Sequence, residues 1–215
     1  MKRNGLSLIL VISLLAWSSG YVAEGAVIYD NGGPNQVNAN PIMTYGFSAE
    51  DFVLREKTTV TDVHFYGTYH GDPTFTALGW TIYSDKSGAP ADIFASGNAI
   101  NIVETLTGEY IDVKGLKLPE IEYSFFLDTP ITLDGLTRYY LALQFSSKTG
   151  VFFWETTKDS TPSFYNDGTR WDRSIDGLAF QLTNDHAPVP EPSTLLLLGS
   201  GLLGLVGYGR RRLKK

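Results

Sequence analysis

Apolar and polar residues alternate in short runs along most of the chain, and Gly, Pro, Asn and Asp separate the runs. Over 58–69, Val63 and Phe65 share one side and His64 and Tyr66 the other, the two-residue period of a strand with one buried face. Leu78, Trp80 and Ile82 alternate in the same way with Gly79, Thr81 and Tyr83. So do Tyr139, Leu141, Leu143 and Phe145 with Tyr140, Ala142, Gln144 and Ser146, and Leu178, Phe180 and Leu182 with Ala179, Gln181 and Thr183. Shorter strands are predicted over 26–29, 45–54, 123–127, 131–133 and 151–156, with weaker patterns at 93–99 and 110–113. The Asn-rich stretch from Asp30 to about Thr44 reads as a loop, and Ser84 to Pro90 as a turn. Asn166-Asp167-Gly168 joins 163–165 to 169–171 as a hairpin.

Many short strands with regular turns predict an all-β domain, with an antiparallel jelly-roll-like β-sandwich as the expected architecture. It is expected to occupy 26–186. A single sizeable core fits this length, and with no cysteine in the chain no disulfide contributes to it.

The two ends break the alternation. Lys2 and Arg3 precede an apolar run from Leu6 to Trp17, followed by small residues. That order predicts a signal peptide over 1–25, with Ala23 and Gly25 suiting cleavage before Ala26, or Ser18 and Gly20 cleavage before Tyr21. At the other end, over 187–215, Pro190-Glu191-Pro192 is followed by an uncharged run from Leu195 to Gly209 and then by Arg210-Arg211-Arg212-Leu213-Lys214-Lys215. The prolines hold the first piece extended. The apolar run, lengthened by Ser193 and Thr194, predicts a transmembrane helix somewhat below the usual ~20 residues. The basic cluster is expected to stay cytoplasmic.

This tail resembles the PEP-CTERM sorting signal of exported bacterial proteins in all three parts and in their order. The resemblance implies an exosortase, a membrane protease-transpeptidase, as partner. It implies cleavage near Pro190, Glu191 and Pro192, which act as substrate residues, with Arg210, Arg211 and Arg212 as the cytoplasmic anchor. It also implies an inner-membrane precursor and delivery to the cell surface or the extracellular polysaccharide matrix. Segments 80–90, 139–143 and 167–171 with 178–182 resemble choice-of-anchor β-sandwich ectodomains, a likeness that implies a fold and no activity.

Charge sharpens the picture once the ends are set aside. Residues 26–188 hold ten basic against twenty-one acidic side chains, a formal charge near −11. Such a surface repels nucleic acid and anionic lipid, so no nucleic-acid partner is expected.

Candidate chemistry is sparse. The chain carries no Gly-x-Ser-x-Gly, His-Glu-x-x-His or phosphate-loop pattern, and no enzyme is expected. Asp62, His64, His70 and Asp72 lie close in sequence, either as a metal site or, more plainly, as a solvated strand face. Glu120 and Glu122 fall on one strand face; a glycosidase needs such a pair across a cleft, and a solvated edge is the simpler reading. No cofactor is required, although Asp30-Asn31 and 85–88 are oxygen-rich turns of the kind that hold calcium. Trp154 and Trp171, flanked by Glu155 and by Asp167, Arg170 and Asp172, are the candidate glycan-binding residues, against the alternative that tryptophans fill the core. Trp80, alternating with Leu78 and Ile82, is expected in the core. Two functions are therefore carried forward: a structural or adhesive component of the exopolysaccharide (biofilm) matrix, and a lectin-like carbohydrate-binding module. A polysaccharide hydrolase is a weaker third.

Overall fold

A computed structural model describes residues 26–40, 46–71, 75–113, 115–147, 150–158, 162–174 and 176–184. The expected signal peptide, the sorting motif, the apolar tail, His186 and Asp72 lie outside the described residues. Among the described residues every regular element is a strand, and none is a helix long and apolar enough to cross a membrane.

Twelve strands follow in chain order: β1 (Val27–Asp30), β2 (Pro34–Asn40), β3 (Phe47–Val53), β4 (Thr58–His70), β5 (Phe75–Asp85), β6 (Pro90–Val113), β7 (Leu116–Leu133), β8 (Arg138–Ser147), β9 (Val151–Thr157), β10 (Phe164–Asn166), β11 (Trp171–Arg173) and β12 (Phe180–Thr183). Every pairing is antiparallel. The ladder runs β1-β12-β4-β7-β6-β5-β8-β3-β10-β11, with β9 between β4 and β2. This is one curled sheet, because β6 carries the ladder from one half to the other. Its first part pairs with β5 and its second with β7, and bulges absorb the bend between Ile100 and Val103 and between Leu106 and Tyr110. Asn101, at φ +53°, and Gly108, at φ +88°, sit in those bulges, where left-handed backbone is needed.

The core lies between the two halves. Val63 and Phe65 of β4, Tyr123 and Phe125 of β7, and Phe180 and Leu182 of β12 come from one half; Leu78, Trp80 and Ile82 of β5 and Leu141, Leu143 and Phe145 of β8 come from the other. Phe145 stacks on Phe152 at 4.3 Å, and Phe65 on Tyr123 at 5.0 Å. Each such side chain contributes about 1.5–3 kcal/mol by leaving water. Gly67 of β4 lets β9 approach: a Cβ there would stand 2.7 Å from the Phe153 carbonyl oxygen.

Three expectations change. The stretch read as an Asn-rich loop contains β2, whose pairing with β9 is reinforced by the Asn35 amide donating to Thr156 Oγ1 at 2.6 Å. The two weak patterns at 93–99 and 110–113 belong to one strand, β6, much of it exposed on both faces, which erases alternation. In β8 the second face is not solvated along its length: Tyr140 and Ala142 are buried in a smaller cluster with Ala49, Tyr83 and Phe164. The β10–β11 hairpin helps to form that cluster, with Phe164 meeting Tyr140 edge-on at 5.4 Å. The hairpin itself follows the expected Asn166-Asp167-Gly168 signal. Asn166 Oδ1 accepts from Gly168 N at 2.7 Å, and Gly168 takes φ +95°.

Candidate functional site

The two tryptophans singled out for sugar stacking sit in different places. Trp154, in β9, is fully buried in the main core. Its ring meets Phe65 at 5.9 Å and Phe180 at 6.0 Å, and Nε1 donates to the Ala179 carbonyl at 2.9 Å. No ring face is open, so Trp154 is corrected from a binding platform to a core residue. The reason is its register: Trp154 pairs with Gly67 and points, like Phe152, to the inner face. Trp171 belongs to the smaller cluster instead, half-buried and edge-on to Tyr83 at 5.1 Å. It keeps exposed area beside Arg170 and Asp172, which pair at 3.1 Å. Trp80 is buried, as its alternation predicts.

Beside the β10–β11 hairpin lies a cleft of about 310 Å³, lined by Asn40, Thr156, Tyr165, Asp172, Arg173 and Asp176 among others. Carboxylates, an amide, hydroxyls and one guanidinium face it together, a set that can both donate to and accept from sugar hydroxyls. Sequence reasoning reached Asp172 and passed over Tyr165, Arg173 and Asp176. Asn40 was hidden because its strand was read as loop.

The Asp62–His64 pair is real and lies on the outer face of β4, with Asp62 covered and His64 partly exposed. Asp62 is buried, His64 Nε2 lies 3.2 Å from Asp62 Oδ2, and the Thr61 hydroxyl donates to Asp62 Oδ1 at 2.6 Å. Thr183 Oγ1 donates to Asp62 Oδ2 as well. Burial pushes the Asp62 carboxyl up, but the hydrogen bonds from His64, Thr183 and Thr61 outweigh it and hold the group below its usual range. His64 Nδ1 approaches Glu122 Oε1 at 3.9 Å. The arrangement ties β4 to β12 and β7. Among the described residues no group of three His, Asp or Glu side chains is placed to hold a metal ion. His70 ends β4, away from this pair in the ladder.

Glu120 and Glu122 are not a solvated edge. Glu120 is buried and Glu122 half-exposed; the carboxyl that meets Glu120 is Glu155 of β9. The oxygen-rich turns are engaged internally. Asp30 Oδ1 accepts from Gly32 N at 2.8 Å, and the Asn31 amide donates to the Leu178 carbonyl at 2.8 Å. Asp85 Oδ1 accepts from the Tyr140 hydroxyl at 2.7 Å. Turn and packing chemistry account for these oxygens.

Against known proteins, residues 188–212 match the model of the PEP-CTERM protein-sorting motif. The matched stretch includes Pro190, Glu191, Pro192, Arg210, Arg211 and Arg212. The motif marks the chain as an exported, surface-directed protein processed by exosortase from a membrane-anchored precursor. Neither a curated protein nor a solved structure matches the chain.

Proposed function

We propose that the chain is a structural or adhesive protein of the exopolysaccharide matrix, without enzymatic activity, delivered as an exosortase substrate. The sorting motif at 188–212, following a domain built of strands, carries this reading. A signal peptide over 1–25 starts export. The apolar run 195–209 then holds the precursor in the inner membrane as a helix, with Arg210, Arg211 and Arg212 on the cytoplasmic side. Cleavage near Pro190-Glu191-Pro192 frees the β domain, taken here as a jelly-roll-like, choice-of-anchor-type sandwich, for the surface. Its charge near −11 disfavours nucleic acid and anionic lipid while tolerating neutral polysaccharide. The experiment is Glu191→Ala in the producing cell. Unprocessed precursor is expected to accumulate in the inner membrane, and normal processing of the variant would remove the exosortase step.

A second reading, lectin-like glycan binding, is favoured by the polar cleft beside Tyr165 and Asp172, with Trp171 next to it in β11. A chelator arm tests calcium as a helper of such binding. In native gels containing the host polysaccharide, with and without chelator, the domain is expected to be retarded, and Tyr165→Ala with Asp172→Ala to release it. Mobility that the polysaccharide leaves unchanged favours the passive structural role.

A further inference from the structure

Glu155 in β9 and Glu120 in β7 are carried by strands that both pair with β4. They are 0% and 3% exposed. Both oxygens of Glu155 and Oε2 of Glu120 are buried without a donor from any other group. Three donors nearby are committed to backbone carbonyls. The Thr68 hydroxyl donates to the Pro119 carbonyl at 2.7 Å, Ala179 N to the backbone carbonyl of Glu155 at 2.9 Å, and Thr107 Oγ1 to the backbone carbonyl of Glu120 at 3.3 Å.

Among the described residues of these strands no counter-charge acts on Glu155. β4 presents Tyr66 and Thr68, β7 presents Glu120 and Glu122, and β2 places Ala39 opposite Glu155. His64 is engaged with Asp62 and leans to Glu122. Among the described residues the charged group acting on Glu155 is Glu120, and no lysine, arginine or histidine does so. Two adjacent carboxylates cannot both stay ionised in a dry site without a cation. The one hydrogen bond open to two carboxyl groups requires a proton on one of them.

We propose that Glu120 and Glu155 form a proton-sharing clasp that fastens β9 to β7 across β4 and loosens when the proton is lost in alkali. Burial first, then the charge of Glu120 and the hydrogen bond to it, push the Glu155 carboxyl up to about 8. A raised carboxyl pKa means the folded protein binds the proton more tightly than the opened one. The clasp is therefore at full strength below the ordinary carboxylate range, weakens as pH rises, and levels off above the folded value. The device suits a protein whose β2–β9 flank yields in alkaline surroundings and tightens in acidic ones.

The test is hydrogen exchange of the full-length chain in a mild non-ionic detergent, corrected for intrinsic exchange rate. Protection of β9 amides is expected to fall roughly tenfold per pH unit between pH 6 and pH 8 and then to flatten, while β5 and β8 change little. Glu155→Gln, whose amide donates to Glu120 without titrating, is expected to abolish that slope. A wild-type β9 with the same pH response as Glu155→Gln would overturn the clasp. Should Glu155→Gln fail to fold, infrared spectroscopy of the wild type decides. A protonated-carboxyl band that persists at pH 7 and disappears above pH 9 supports the clasp; its absence at pH 7 overturns it.

Discussion

Trp154→Ala separates core from binding surface at the residue where sequence and structure diverge most. The side chain is wholly buried, with Phe65 and Phe180 edge-on to it at 5.9 and 6.0 Å. Emptying such a site costs about 3–5 kcal/mol, and the spread reflects how far neighbours relax. The Ala179 carbonyl also loses the indole donor held at 2.9 Å, and an acceptor left buried and unpaired adds about 1–3 kcal/mol. A total of about 4 kcal/mol or more is a large part of the ~5–15 kcal/mol typical of a domain. Urea unfolding of residues 26–188, followed by circular dichroism, measures it. With a slope of about 2 kcal/mol/M the midpoint is expected to drop by about 2 M, or the variant to be unfolded without urea. Trp154→Phe keeps most of the ring and loses the N–H, so it is expected near the lower, hydrogen-bond part of that loss. A midpoint for Trp154→Ala within about 0.3 M of the wild type, together with weakened glycan retention, would refute the core assignment and restore the platform.

Other substitutions test other joints of the structure. Trp171→Ala removes one edge-on contact from a half-buried position and is expected to cost about 1 kcal/mol while the domain stays folded; its glycan retention in native gels then reports binding without confusion from unfolding. Gly67→Ala pushes a methyl toward the Phe153 carbonyl and is expected to cost about 1–3 kcal/mol, seen as a lower melting temperature and earlier exchange in β9. Asp62→Asn is expected to destabilise the protein at neutral pH. Because the folded Asp62 pKa is depressed, its contribution is present above the ordinary carboxylate range and is lost as pH falls through the folded value, so the variant's stability should depend less on pH on the acid side.

Strand positions with strict alternation were legible from the order of residues alone: the inner faces of β4, β5, β8 and β12 are the residues the period marks. Three things were not. β2 is written in Asn and Gln, poor strand formers, and is held by side-chain amides and its pairing with β9, a tertiary cause with no local signature. β6 is exposed on both faces between Ile100 and Tyr110, so burial imposes no period there. The flank of Trp154 misled for a third reason. Tryptophan beside a glutamate looks like a sugar platform only if the glutamate is outside, and Glu155 is as buried as its neighbour.

That last point reaches beyond one residue. A domain with a charge near −11 has every electrostatic reason to keep carboxylates in water, yet Glu50, Asp62, Glu120 and Glu155 are all inside. Each has a different compensation. Glu50 Oε2 accepts from Leu178 N at 2.8 Å, and Asp62 gathers two hydroxyls and an imidazole. Glu120 and Glu155 have each other and one proton. All four lie at seams where curled strands change partners: β3 against the turn before β12, β4 against β12, and β7 and β9 against β4. At the β3 seam an apolar side chain would leave Leu178 N unpaired, whereas the Glu50 carboxyl takes it. The contribution of Asp62 is lost as pH falls through its folded value, and that of Glu155 declines as pH rises from the ordinary carboxylate range to about 8. The seams should therefore hold best between the two, and the proton concentration of the surroundings decides which opens first.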